Sequence, residues 1–138
     1  MSLANQNRAR RWFRAGCLWG LSAVAIGAFG AHALAPGMSE KQLAWFHTGV
    51  DYQQFHTFAV LLCALALHSG ATTQRAALAA GLFSAGIVFF SGSLYYMAIT
   101  AQTGAAVLTP IGGVLFLAGW VVLALSLQPR HDAAQEQQ

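Results

Sequence analysis

The chain has 138 residues, enough for one ordinary domain, and 57% of them are apolar while only 8% are charged. An average globular domain carries roughly 25% charged residues, so this balance excludes a water-soluble globular fold and makes a bilayer the natural solvent. The formal net charge of +3 comes from a few arginines at particular positions, which argues for a topology signal and contact with anionic lipid rather than nucleic-acid binding.

Residues 1–14 form a basic N-terminal arm, with Arg8, Arg10, Arg11 and Arg14 just ahead of an uncharged run from Ala15 to Ala35. Arm and run together imitate a secretory signal peptide. The run exceeds the usual h-region of about 7 to 15 residues, and Pro36 directly follows the ALA that would be the cleavage site, so the segment is expected to be retained. It is long enough for a first span at about 15–34. Gly16 and Gly20 have GxxxG spacing, and Ala23, Gly27 and Ala31 continue the interval, giving a smooth face against which another helix can pack. His32 lies at the outer end of this span, within GAFGAHAL.

The loop APGMSEKQ leads into a helix start. Ser39 is placed to cap, Gln42 to close a capping box, and Met38 with Leu43 to form a hydrophobic staple. A short interfacial helix is therefore expected from about Glu40, with Gly49 as a weak point at which it can bend into a second span at about 53–68. The polar stretch WFHTGVDYQQFH straddles that entry. At 100° per residue, His47, Asp51 and Gln54 lie within about 60° of one another, while Tyr52 and His56 share the other side. With His32 at a similar depth, the four ionisable groups His32, His47, Asp51 and His56 are expected to meet at one membrane level.

A carboxylate at the bilayer centre costs about 2.5 to 3.5 kcal/mol on insertion scales, so intramembrane ionisable groups suggest function. A ligand or proton site is one reading of the cluster. The plainer reading is structural, with Asp51 at the wet interface and Tyr52, Gln53 and Gln54 clamping the second span onto the first. Metal binding has little support, because neither HxxxH nor HExxH occurs. Cys17 and Cys63 lie inside spans without a CxxC motif, and no Ser-His-Asp or cysteine nucleophile arrangement can be assembled. No cofactor is implied, and no enzyme activity is expected.

The uncharged run from Ala76 to Pro129 has room for two spans. The polar turn within AITAQTGAAV divides it into a third span at about 76–99 and a fourth at about 106–127, followed by a polar tail, 128–138. Ala77, Gly81 and Ala85, then Gly112 and Gly119, give these spans smooth faces, and Pro110 suits the first turn of the fourth. In FFSGSLYYMAIT, Ser91 and Ser93 are expected to bond back to helix carbonyls. Gly92 would admit another helix. Tyr95 and Tyr96 are expected to join Tyr52, Trp12, Trp19, Trp45 and Trp120 in an aromatic belt.

The expected fold is all-α: an integral membrane four-helix antiparallel bundle in the membrane domain 15–127. Arg75 and Arg130 share the arm's side and only Lys41 opposes them, so both termini are expected in the cytoplasm.

GAFGAHAL, TGVDYQQFHTFAVLL, FSGSLYYMAIT and LTPIGGVLFLAGW, in that order, resemble the YgdD and YwdK family of small bacterial inner-membrane proteins. The likeness runs from about Ala15 to Leu127. It implies four membrane helices and a multi-pass protein of the bacterial inner membrane, and it implies no biochemical activity. It also carries a histidine in the GAHAL-like motif and a YQxxH, which correspond to His32 and to Tyr52, Gln53 and His56. His47 and Asp51 fall outside that pattern and stay weaker candidates, with Ser91, Ser93 and Tyr95. The functional expectation is a noncatalytic protein that binds a partner or lipid, or supports assembly, through an outer-face site. Its partners would be the bilayer, another membrane protein or a second copy of itself, and no nucleic acid. The alternative is an oligomeric transporter or proton or ion pathway using the same cluster.

Overall fold

The computed structural model describes residues 3–70 and 74–126. The expected end of the fourth span at Leu127, Arg130 and the polar tail lie outside the described residues. Helix α1, Leu3–Phe29, takes in most of the basic arm and continues through a π-helical turn, Gly30–Leu34, and a 3-10 turn, Ala35–Gly37. Helix α2 is Glu40–His68. Helices α3, Gln74–Gly86, and α4, Gly92–Thr100, form one rod joined by a π-helical turn at Ile87–Ser91. After a 3-10 turn at Gly104–Val107, α5 runs Leu108–Ala124. No strand occurs among the described residues.

Three helical stretches, 3–37, 74–100 and 104–124, are long and apolar enough to cross a membrane. Helix α2 is absent from that set although its 29 residues would reach about 43 Å at 1.5 Å per residue. What disqualifies it is the run of Asp51, Tyr52, Gln53, Gln54 and His56. It nevertheless has the most buried residues of any helix, including Gln53, His56 and Thr57. Polar groups at membrane depth belong against protein rather than lipid, where other helices supply their partners. Helix α2 packs against both α1 and the α3–α4 rod, α1 also touches α3, and α5 packs against α3.

Small residues set these approaches. Gly30 of the π-helical turn and Gly27, Gly20 and Gly16 of α1 meet Phe46, Val50, Thr57 and Leu61 of α2 in that order, so contacts follow opposite order along the two helices. The same reversal relates α3 and α5: Gly119 meets Phe83, Gly86 meets Phe116, and Gly112 meets Phe90. The central core joins Ala59, Val60 and Cys63 of α2 to Ala79, Ala80 and Phe83 of α3 and to Phe116 of α5. Smaller clusters sit at either end, one around Ala9, Leu67 and Ala76, the other around Phe46, Val50 and Ala98.

The capping box that opens α2 is present: the Gln42 N–H donates to Ser39 Oγ at 3.3 Å, and the Ser39 N–H donates to Gln42 Oε1 at 3.1 Å. Gln42 Nε2 also donates to the Ala98 carbonyl at 2.7 Å, tying this cap to α4. No separate short helix precedes residues 53–68, contrary to the expectation of an interfacial helix there, because helix runs unbroken from Glu40 to His68. Gly49 is a close-approach point and not a hinge: a Cβ there would lie 2.7 Å from Tyr95 Cε1. Gly92, expected to admit a helix, instead faces open space.

Candidate functional site

Gln53 is 2% exposed and bridges three helices. Its Nε2 donates to the Trp19 carbonyl at 3.1 Å and to Ser22 Oγ at 2.8 Å, both on α1. Its Oε1 accepts from the Tyr95 hydroxyl of α4 at 2.8 Å. A primary amide is the side chain that can serve donors and acceptors at once. Trp19 extends the link by donating from Nε1 to Ser84 Oγ on α3 at 3.2 Å. The polar contacts of this layer thus join α1, α2, α3 and α4.

His56 lies three residues further along α2, about 60° around the helix, and is 4% exposed. Its ring stacks on Phe116 of α5, with centroids 3.4 Å apart and planes within 6°. Nδ1 lies 2.8 Å from the Tyr52 carbonyl and Nε2 lies 3.4 Å from Trp120 Nε1. A carbonyl only accepts and an indole N–H only donates, so this pair of contacts selects the neutral tautomer with the proton on Nδ1. A ring held this way has no spare nitrogen for a metal.

Between α2 and α5 runs a cavity of about 800 Å³, with Asp51 at one end, His56 and Trp120 at the other, and Tyr52, Phe90 and Phe116 between. Tyr52 stacks on Phe90 at 4.4 Å, which builds an aromatic wall. The rim residues Phe55, Val114 and Leu117 are 61%, 63% and 69% exposed, so the groove opens sideways along the apolar surface of the helices. Its apolar walls with few polar groups are the usual make-up of a small-molecule site.

The structure separates residues that the sequence suggested would converge. His32 is exposed and has no hydrogen bond, ion pair or ring contact with a described residue. Its neighbour Gly30 is level with Phe46, whereas Thr57, next to His56, is level with Gly20. Ten residues of helix between those levels correspond to about 15 Å, so His32 and His56 do not share a site. His47 and Asp51 are exposed; Asp51 borders the groove, and His47 makes only an edge contact with Phe46. Tyr52 and His56 line the groove, and Gln53 faces away from it into the interhelical layer. Tyr95 belongs to that layer and does not act as an interfacial anchor. Ser93 bonds back to the Phe90 carbonyl at 2.8 Å and also meets Thr109 Oγ1 of α5 at 2.7 Å. Ser91 Oγ is buried without a hydrogen-bond partner. Among the described residues no three His, Cys, Asp or Glu side chains gather as a metal site would require.

Phe90, Phe116 and Trp120 were not legible as site residues in the sequence. Trp120 reads there as an interfacial belt residue, and Phe90 reaches the groove from a π-helical turn whose extra residue shifts the facing of the rod.

Residues 26–113 match the family model described as "Protein of unknown function (DUF423)". A "UPF0382 membrane protein" of Haemophilus influenzae is 47% identical over 107 residues, covering 78% of this chain and 85% of the relative. Another of the same description, from Staphylococcus epidermidis, is 42% identical over 111 residues, covering 80% and 89%. The "UPF0382 inner membrane protein YgdD" of Escherichia coli K12 is 41% identical over 104 residues, covering 72% and 76%. No solved structure matches. The match to the family model, together with relatives above 40% identity over most of both chains and helices apolar enough to cross a bilayer, assigns this chain to the DUF423 family of UPF0382 membrane proteins.

Proposed function

We propose that the chain is a noncatalytic membrane protein that binds a neutral or cationic amphiphile from the bilayer in the groove between α2 and α5. Helix α2 would be a fourth span, in a four-helix antiparallel bundle with both termini in the cytoplasm. The reversed contact order of α1 against α2 and of α3 against α5 supports the bundle, and the arginines of α1 with Arg75 support the orientation. The observation that carries the functional reading is the sideways-opening aromatic groove, about 800 Å³ in volume, with Asp51 at one end and His56 at the other. A ligand entering from lipid would lay its apolar body along Tyr52, Phe90 and Phe116. Asp51 accepts hydrogen bonds and carries negative charge, which favours a donor-rich or cationic head. His56, with both ring nitrogens engaged by the Tyr52 carbonyl and Trp120, closes the far end of the groove and leaves Asp51 as the polar anchor.

Gly113→Leu tests this without removing a core contact. Gly113 lines the groove, and a Cβ added there would stay 4.0 Å from Phe90, so the longer side chain fills the groove and not the protein. The variant is expected to keep the wild-type melting temperature and to lose the amphiphile that copurifies with wild type, as read by native mass spectrometry. An unchanged lipid complement would contradict the reading. The alternative, an oligomeric proton or ion pathway, requires flux across sealed liposomes containing the purified protein; flux that persists in Gly113→Leu would favour it over the groove.

A further inference from the structure

A second cavity, of about 610 Å³, lies between α1 and α3 at the end of the molecule where both helices begin. Asn7, Arg8, Arg11 and Gln74 furnish its polar part, while Ala15 and Leu78 continue it toward the apolar middle. The lining residues of α1 recur three or four apart, which is one helix face, and so do those of α3. Both faces pass from polar to apolar in the same direction, because Trp12 of α1 packs near Gly81 of α3 and Ala9 near Ala76. Neither Arg8 nor Arg11 makes a hydrogen bond or ion pair with a described residue, whereas Arg75 nearby donates to the Leu125 carbonyl at 3.1 Å. The described carboxylates, Glu40 and Asp51, lie in the first half of α2, away from its Leu67 end, which packs beside Ala9 and Ala76. Two guanidinium groups with no carboxylate partner among the described residues, and with amide donors beside them, suit a phosphate. The apolar continuation between two helices suits the acyl chains below it, and a basic recess at a membrane boundary is the form that headgroup sites take.

We infer that this recess is a binding site for one anionic glycerophospholipid, with Arg8 and Arg11 on the phosphate and the acyl chains descending past Ala15 and Leu78. It is separate from the groove between α2 and α5 and depends only on the chain being a membrane protein, so loss of either site leaves the other testable. The comparison that isolates it uses another cavity bordered by α1, of about 400 Å³, which Arg10 and Arg14 line together with His68.

The full chain, purified in detergent and stripped of lipid, would be titrated with phosphatidylglycerol, phosphatidylcholine or inorganic phosphate, and bound lipid counted by native mass spectrometry. Wild type is expected to retain phosphatidylglycerol at least fivefold better than phosphatidylcholine. Arg8→Gln/Arg11→Gln is expected to lose that preference while keeping its lipid-free melting temperature. Arg10→Gln/Arg14→Gln, which removes the same charge, is expected to change retention less than twofold, and Arg8→Lys/Arg11→Lys to recover part of it. Equal losses in both glutamine pairs would mean diffuse surface attraction and overturn the site. So would equal retention of the two lipids by wild type, or competition by millimolar inorganic phosphate alone, which would identify a free-phosphate site instead.

Discussion

Gly112→Ala is expected to destabilise the protein by about 3 kcal/mol, the upper end of the usual cost of overpacking. A methyl at this position would collide with the backbone N and Cα of Phe90, as well as its Cβ. A side chain can rotate away from such a collision; a backbone inside a π-helical turn can do so only by moving α5 off the α3–α4 rod. That movement would open the contacts of Gly119 with Phe83 and of Ser93 with Thr109. The neighbouring Gly113→Ala meets nothing closer than 4.0 Å and should be close to neutral. Chemical denaturation of both variants in one detergent checks the pair. Equal stability of Gly112→Ala and wild type would show that the close approach of α5 is absent in the membrane protein.

Gln53→Leu is expected to cost about 2 to 3 kcal/mol. Interhelical hydrogen bonds in membrane proteins average about 0.6 kcal/mol and reach about 1.7, and Gln53 makes three, two to α1 and one to α4. The substitution also strands the Tyr95 hydroxyl in an apolar layer, where an unsatisfied group costs more than the lost bond contributed, while Ser22 Oγ keeps its bond to the Trp19 carbonyl at 2.9 Å. Tyr95→Phe, which removes only one of the three bonds, should cost about 1 kcal/mol on the same scale. Because the two residues share a bond, the double variant should be less destabilised than the single costs added together. Additive costs would mean that Tyr95 and Gln53 act independently and that the layer linking α1 to α4 through α2 is not a unit.

How much of this was legible beforehand depended on whether the signal was local. Hydropathy marked the spans of α1, the α3–α4 rod and α5, because a bilayer selects apolar composition segment by segment. The Ser39–Gln42 capping box was readable because both partners lie within one turn. Small residues at helical spacing marked the faces that pack, including Gly16, Gly20 and Gly27. The helix that each face meets is a property of the whole arrangement, so the pairing of Gly112 with Phe90 was hidden. The same reason explains the main error about the site. Angular position on α2 grouped His47 with Asp51 and Tyr52 with His56, but depth is set by how α1 and α2 are staggered, and that stagger puts His32 well away from His56. Gln53 drew attention as a polar residue in a span, yet its partners Trp19, Ser22 and Tyr95 lie at least 31 residues away in sequence. The π-helical turn at Ile87–Ser91 has no distinct sequence mark, and it is what turns Phe90 toward Tyr52.

The account rests on α2, too polar to qualify as a span alone, being carried across the bilayer by the three apolar helical stretches around it. Cysteine accessibility tests this most directly. In a Cys17→Ala background, with Cys63 buried, single cysteines would be introduced by Gly37→Cys just before α2 and by Ser69→Cys just after it, both at exposed positions. With a membrane-impermeant maleimide applied to spheroplasts, Gly37→Cys is expected to label at once and Ser69→Cys only after permeabilisation. Labelling of both before permeabilisation, or of neither, would put the two ends of α2 on one side of the membrane and contradict the account.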